Sequence, residues 1–236
     1  ELATRPGVSD VRLMPSSSER VGVEGLVAFS LSAADLETWP DLTAVAVPMA
    51  GLNSFDLAAL DARGIGIAPA HANGPYVAER ALALMLAFFG RIVPWHNDFA
   101  SGRWHGFAAG ESVKKSWESL DGKRAAILGT GAIGTETAGL LRAFGVTATG
   151  FRRSSGDARG HAGGDGAGTF DRVVTSVPAA VEGADIVVVA LPATPATEGL
   201  LDAEALAAMQ GAVLVNVGRG AIVDEEALYH ALKEGT

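Results

Sequence analysis

Residues 120–155, LDGKRAAILGTGAIGTETAGLLRAFGVTATGFRRSS, constrain the fold more than any other stretch. Residues 124–128 form a short apolar run that suits a buried strand. Gly129, Gly131 and Gly134 follow at once with the spacing G-x-G-x-x-G. A helical pattern then opens, with Ile133, Leu140, Leu141 and Phe144 expected on one face, and Gly145 closes it. Residues 146–151 read as a second strand, which completes a strand–turn–helix–strand unit. In that setting each glycine has a task. Gly129 allows the tight turn, Gly131 lets the backbone approach a pyrophosphate, and Gly134 lets the helix pack on the strand. The free N–H groups of the first helical turn, around Ala132 and Ile133, then face the phosphates. A glycine-rich turn alone is weak evidence; framed by strand and helix, it predicts dinucleotide binding.

About 20 residues past the first glycine, an NAD site usually carries an acidic residue that bonds the ribose hydroxyls. Here the sequence is Phe151-Arg152-Arg153-Ser154, with no carboxylate. Guanidinium groups bind phosphate through paired N–H donors. Arg152 and Arg153 therefore point to NADP in preference to NAD.

The rest of the chain fits this reading. Its 236 residues allow one large domain or two small ones. The net charge of −9 argues against nucleic acid and against an anionic membrane surface. The longest apolar stretch, 81–89, is far too short to span a bilayer. Without cysteine there are no disulfides or thiolate metal sites, in keeping with a cytoplasmic protein, and no metal site is expected.

Strand and helix patterns alternate from early on. Strands are expected at 11–14, 25–29, 43–47 and 65–68, and helices at 30–37, with Ser32 as N-cap, and at 55–63. Residues 77–89 read as a helix that is apolar almost all round, hence buried between layers. Residues 92–110 read as an irregular aromatic stretch with a domain boundary at Pro94. The glycines of 154–169 lack a flanking strand and helix and read as a surface loop. Beyond it come a helix at 177–182, a buried strand at 185–191 (DIVVVAL), a helix at 203–209, a buried strand at 213–217 and a helix from Asp224. Alternation of this kind implies parallel sheets with helical crossovers.

Five segments in order, MAGLNS, NGPYVAERALALML, GTGAIG, LPATPAT and VNVGRGAIVDEEAL, together resemble the D-isomer-specific 2-hydroxyacid dehydrogenase family over essentially the whole chain, with glyoxylate and hydroxypyruvate reductases as the preferred comparison. The resemblance implies an α/β fold of two domains. One is a Rossmann-type, doubly wound parallel-sheet cofactor domain, residues 94–236, expected to lack its C-terminal part. The other is a partial, flavodoxin-like outer domain that holds substrate, residues 1–93. It implies an NAD(P)-dependent oxidoreductase that interconverts a small 2-keto acid and its D-2-hydroxy acid. Arg219, in the GRG motif, would hold the substrate carboxylate and polarise the carbonyl, which is what a fixed guanidinium does well. Ala50 and Gly51 would help to hold the same carboxylate. Gly129, Gly131, Ala132, Ile133, Gly134, Arg152, Arg153, Leu191, Pro192, Val217 and Gly218 would line the cofactor. Relatives are mostly homodimers, and the aromatic stretch from Trp95 to Phe107 would suit that contact.

The chain also departs from the pattern. The family's proton-transfer pair, a glutamate and a histidine, follows the GRG helix, and the sequence given stops at Thr236 before either. Both ends of the outer domain look short. His71, His96, His105, His161 and His230 do not stand in the family's catalytic motif. Two alternatives stay open: a phosphoglycerate dehydrogenase-like enzyme, and a non-catalytic, NAD(P)-binding module like the family's corepressors. A Tyr-x-x-x-Lys reductase is disfavoured. Tyr229 and Lys233 have its spacing, but they lie after the GRG motif.

Overall fold

Residues 125–128 and Ile186–Val189 are apolar at every position, so each strand has to be covered on both faces. The computed structural model, which describes residues 20–49, 51–70, 72–104, 116–153 and 168–235, shows how. The chain forms two compact units, Glu1–Ala70 and His71–Thr236.

The first unit contains three parallel strands, β1 (Gly25–Val27), β2 (Ala44–Val47) and β3 (Gly66–Pro69), in the order β1-β2-β3. Helix α1 (Ala33–Glu37) follows β1, and α2 (Leu57–Ala62) follows β2. Val45 and Val47 of β2 are buried with Leu36 of α1 and Leu60 of α2, while Ala44 and Ala46 face outward. Ser32 caps α1 as its sequence position predicts. Its Oγ accepts from the Asp35 N–H at 3.2 Å, and its own N–H donates to Asp35 Oδ2 at 2.9 Å. The expected strand at 11–14 lies outside the described residues.

The second unit opens with α3 (Gly74–Phe89) and α4 (Ile92–Ala100) and continues through β4 (Arg124–Leu128), α5 (Ala132–Ala143), β5 (Thr147–Phe151), β6 (Arg172–Val174), α6 (Val177–Val181), β7 (Ile186–Val189), α7 (Ala203–Met209), β8 (Val213–Asn216) and α8 (Glu225–Glu234). Its five strands are all parallel, in the order β6-β5-β4-β7-β8. The strands alternate their side chains between two cores. Ala125 and Ile127 of β4, with Ile186 and Val188 of β7, face α3 and α5. Ala126, Leu128, Val187 and Val189 face α6 and α7. This is the doubly wound arrangement of a Rossmann domain.

Four sequence expectations change. Residues 92–100 are a helix rather than irregular chain. Pro94 sits in its first turn, where a missing N–H costs no helical bond, so it starts a helix instead of marking a break. The boundary was expected at Val93–Pro94. However, α3 buries Ala81, Met85 and Phe89 in the same core as β4, β7 and α5, and the division falls at Ala70–His71. The buried face of α5 is Gly134, Thr137, Ala138 and Leu141; Ile133 and Leu140 are half-buried, and Phe144 is an exposed C-cap. Small residues win that face because the helix lies close against the sheet and α3. Finally, β6 has no counterpart in the sequence reading, since three residues at a sheet edge carry too little periodicity to register. Among the described residues, no helix is long and apolar enough to cross a membrane.

Candidate functional site

The parallel register brings the ends of four strands to one edge of the sheet. Leu128 pairs with Phe151 on one side and with Val189 on the other, and Val189 pairs with Asn216. The next residues along, Arg152, Gly129, Ala190 and Val217, therefore start the loops at a common level. After β4 the chain turns to α5 on one face; after β7 it turns to α7 on the other. The two loops part between neighbouring strands and leave a crevice at the topological switch point, where open α/β sheets collect their ligands.

The three glycines of G-x-G-x-x-G meet different surroundings. Gly129 has φ +114°, and a Cβ there would stand 2.7 Å from the Ala190 carbonyl oxygen. A Cβ at Gly134 would overlap the Gly129 carbonyl oxygen and lie 3.2 Å from Ile127 Cγ2. Gly131, the N-cap of α5, faces open space: nothing lies within 4 Å of where its Cβ would be. No side chain caps α5, so the N–H groups of Ala132, Ile133 and Gly134 are left for a ligand. Gly129 and Gly134 thus fix the turn against the sheet, and Gly131 keeps its outer side clear. These residues fit the pyrophosphate of a dinucleotide.

At the end of β5, the Arg152 N–H donates to the Val174 carbonyl at 3.0 Å, which anchors the backbone. Arg152 is half-buried and Arg153 exposed, and neither side chain bonds another described residue. On the far side, Leu191 and Pro192 begin the LPATPAT loop. Buried Thr197 holds this loop in shape. Its hydroxyl donates to the Pro192 carbonyl at 2.7 Å and accepts from the Thr194 N–H at 2.8 Å. The Val217 N–H donates to the Val189 carbonyl at 3.0 Å. Gly218 is pressed on the same loop, since a Cβ there would stand 2.7 Å from the Leu191 carbonyl oxygen. Arg219 follows in extended backbone, exposed, with Nη1 3.0 Å from the Gly218 carbonyl.

Gly51 lies half-buried on the loop leaving β2 in the first unit. Ala50, His71, His105 and His161 lie outside the described residues. His96 is on α4 and His230 on α8, both exposed. Among the described residues, no three His, Cys, Asp or Glu side chains are grouped to hold a metal.

Sequence reasoning missed several residues of this edge. Gly150, in β5, leaves no space for a side chain: a Cβ would be 2.8 Å from Thr130 Cγ2 and 2.9 Å from Phe170 Cδ1. Gly74, the first residue of α3, is buried with its Cβ position 3.4 Å from the Ala132 Cβ, so α3 and α5 begin side by side. Thr197 and Asn216 act through hydrogen bonds to loop backbone. Position within LPATPAT and VNVGRG was the available signal.

Known proteins resemble the chain in both sequence and fold. Residues 82–236 match the family model described as D-isomer specific 2-hydroxyacid dehydrogenase, NAD binding domain. A D-3-phosphoglycerate dehydrogenase of Mycobacterium leprae is 32% identical over 210 residues, covering 88% of this chain and 37% of the relative. Glyoxylate/hydroxypyruvate reductase B of Erwinia tasmaniensis is 32% identical over 203 residues, covering 84% of this chain and 59% of the relative. A crystal structure of a Pyrococcus horikoshii protein superposes with a TM-score of 0.74 at 29% identity, over 90% of this chain and 63% of that one. The chain thus spans between 37% and 59% of the length of these two curated relatives. With the strand order, the glycine turn and the GRG loop in place, the match runs over residues 82–236 rather than over a motif: the chain belongs to the D-isomer specific 2-hydroxyacid dehydrogenase family, and the matched residues are those of that family's NAD binding domain.

Proposed function

We propose that the protein interconverts a small 2-oxo acid and its D-2-hydroxy acid, using NADP(H) in preference to NAD(H). The observation that carries this reading is the position of Arg219. Its exposed guanidinium stands at the end of β8, on the same sheet edge as the glycine turn. A guanidinium there binds a carboxylate in two-point fashion. It also stabilises negative charge on the adjacent carbonyl oxygen as the carbonyl is reduced. When bound, the dinucleotide exchanges a hydride with the substrate carbon. Gly131 and the first turn of α5 hold the pyrophosphate, the Leu191-Pro192 and Val217-Gly218 segments wall the crevice, and the proton that completes the hydroxyl group is assigned to the family's glutamate and histidine, which follow the GRG helix.

The preference for NADP(H) rests on Arg152 and Arg153, two cations at the strand end where NAD sites use a carboxylate. The relatives' names divide between 3-phosphoglycerate and glyoxylate or hydroxypyruvate. We favour the smaller acids, because among the described residues the other cations of the strand-end row, Arg152 and Arg153, follow β5, which β4 and β7 separate from β8, and are assigned to the cofactor. The test is reduction of glyoxylate, hydroxypyruvate and 3-phosphohydroxypyruvate with NADPH and with NADH, by wild type and by Arg219→Ala. Turnover of the small acids with NADPH, lost in the variant, supports the reading. Turnover of the phosphorylated acid alone, or equal turnover by the variant, overturns it.

The same reading includes a homodimer. Tyr76, Arg80, Leu84 and Phe88 form an exposed stripe along α3 at helical spacing, continued by Ile92, Val93 and Phe99 of α4. Sedimentation as a monomer at micromolar concentration would remove this part of the proposal.

A further inference from the structure

We infer that Asn216 is a positioning residue for Arg219. Its amide closes the β8 turn and thereby sets the direction of the guanidinium that takes the substrate carboxylate. The inference rests on the role proposed for Arg219.

Asn216 is the last residue of β8, and its backbone is fixed by pairing with Val189. From that anchor its side chain reaches forward across the turn. Oδ1 accepts from the Gly218 N–H at 2.9 Å, and Nδ2 donates to the Arg219 carbonyl at 3.0 Å. The Ile222 N–H donates to the same Arg219 carbonyl at 3.2 Å. Gly218 cannot retreat, being pressed on the Leu191 carbonyl. Its own carbonyl accepts from Arg219 Nη1 at 3.0 Å. The amide therefore ties residues 218 and 219 to the strand end, and the guanidinium leaves a backbone held at both its N-terminal neighbour and its carbonyl.

This task calls for one acceptor and one donor at the end of a short stem, which among common side chains is what an amide supplies. Aspartate keeps the acceptor but turns its second oxygen toward the Arg219 carbonyl oxygen, a repulsive pair. It also places a negative charge three residues before the arginine, where it competes with a substrate carboxylate. Serine and threonine are too short to span both partners. The turn is exposed at Asn216, so its loss does not remove core packing.

The experiment compares wild type with Asn216→Asp and Asn216→Ala. Oxalate serves as an unreactive probe of the carboxylate site, titrated in the presence of saturating NADPH and followed by nucleotide fluorescence. NADPH binding and the thermal transition are measured in parallel. The expected result is a split: oxalate affinity falls about tenfold or more in Asn216→Asp, while NADPH affinity stays within about twofold and the thermal transition within a few degrees. The KM for a turned-over 2-oxo acid rises with the oxalate Kd. Unchanged oxalate affinity in both variants overturns the inference. A parallel loss of oxalate and NADPH binding overturns it too, since a merely structural residue behaves that way. If wild-type protein binds NADPH but not oxalate, the proposed role of Arg219 fails first, and the inference with it.

Discussion

Helix α5 contains two glycines whose replacement by alanine should move stability in opposite directions. Gly139 is exposed, and a Cβ there meets nothing within 4 Å. Alanine at that point should stabilise the protein by about 0.5–1 kcal/mol through helix propensity alone. Gly134 has the same propensity to gain, but its Cβ would overlap the Gly129 carbonyl oxygen, lie 3.0 Å from the Gly129 carbonyl carbon and 3.2 Å from Ile127 Cγ2. Carbon atoms prefer separations of about 3.5–4.0 Å, so the carbon contacts alone demand a shift of about half an ångström, and the oxygen demands more. Neither side yields cheaply. Gly129 is itself wedged on the Ala190 carbonyl, and Ile127 is fully buried in the central strand. Overpacking costs about 1–3 kcal/mol, and a methyl that overlaps fixed backbone stands in the upper part of that range, about 2–3 kcal/mol, which exceeds the propensity gain of about 1 kcal/mol. Gly134→Ala should therefore destabilise the second unit by about 1–2 kcal/mol, within the range of those opposing effects. It should also displace the first turn of α5 and weaken NADPH binding. Urea unfolding followed by far-UV circular dichroism, with NADPH titrations on each variant, reads both effects. Equal stability of the two alanine variants, with unchanged nucleotide affinity, would refute the close approach of helix and turn.

Three further predictions follow from separate parts of the molecule. Arg152→Asp should shift the preference between NADPH and NADH by about 10–100-fold toward NADH, since a charge-assisted hydrogen bond contributes about 1.5–3 kcal/mol; an unchanged ratio of the two dissociation constants would remove the NADP(H) reading. Thr197→Val should destabilise the protein by about 1–3 kcal/mol, because it strands the Thr194 N–H and Pro192 carbonyl beside a buried methyl; a melting curve superposable on wild type would count against the loop clamp. Asp35 is held below the ordinary carboxylate range, first by the Ser32 hydroxyl and then by the Ser32 backbone N–H. A depressed carboxyl contributes stability above its unfolded pKa, and that contribution is lost as pH falls through the lower folded value. Ser32→Ala should therefore raise the Asp35 pKa toward its ordinary value, read by an NMR titration of its carboxyl carbon.

The sequence made the central sheet legible because its strands are buried on both faces. Runs such as AAIL and IVVV have no amphipathic ambiguity to resolve, and strong turn chemistry bounds each. The glycine turn was legible for a related reason: three glycines at fixed spacing are costly unless backbone must come close to backbone, and at Gly129 and Gly134 it does. Legibility failed where the deciding contacts were tertiary. Pro94 carries the same local signal whether it ends a domain or begins a helix; only the arrangement of α3 and α4 decides between them. On α5 the size of the apolar residues points inward correctly at Leu141, whereas close packing on the sheet and α3 fills the rest of that face with glycine, threonine and alanine and leaves Phe144 outside.

The candidate site divides along the same line. Residues proposed to meet a ligand through backbone or charge stand out as motif letters: Gly131 in the turn, Arg152 at the strand end, Arg219 in GRG. Asn216 and Thr197, which hold the GRG and LPATPAT loops, spend their polar atoms on loop backbone, a pattern that any turn-forming asparagine or threonine shares. Their importance comes from what they fix in place. Gly218 shows the logic in one residue. It packs on the Leu191 carbonyl, gives its N–H to Asn216 and takes a hydrogen bond from Arg219. A substitution there would disturb the LPATPAT loop and Arg219 together. That dual attachment explains physically why LPATPAT and VNVGRG, 24 residues apart from Leu191 to Val215, have to be read as one structural unit.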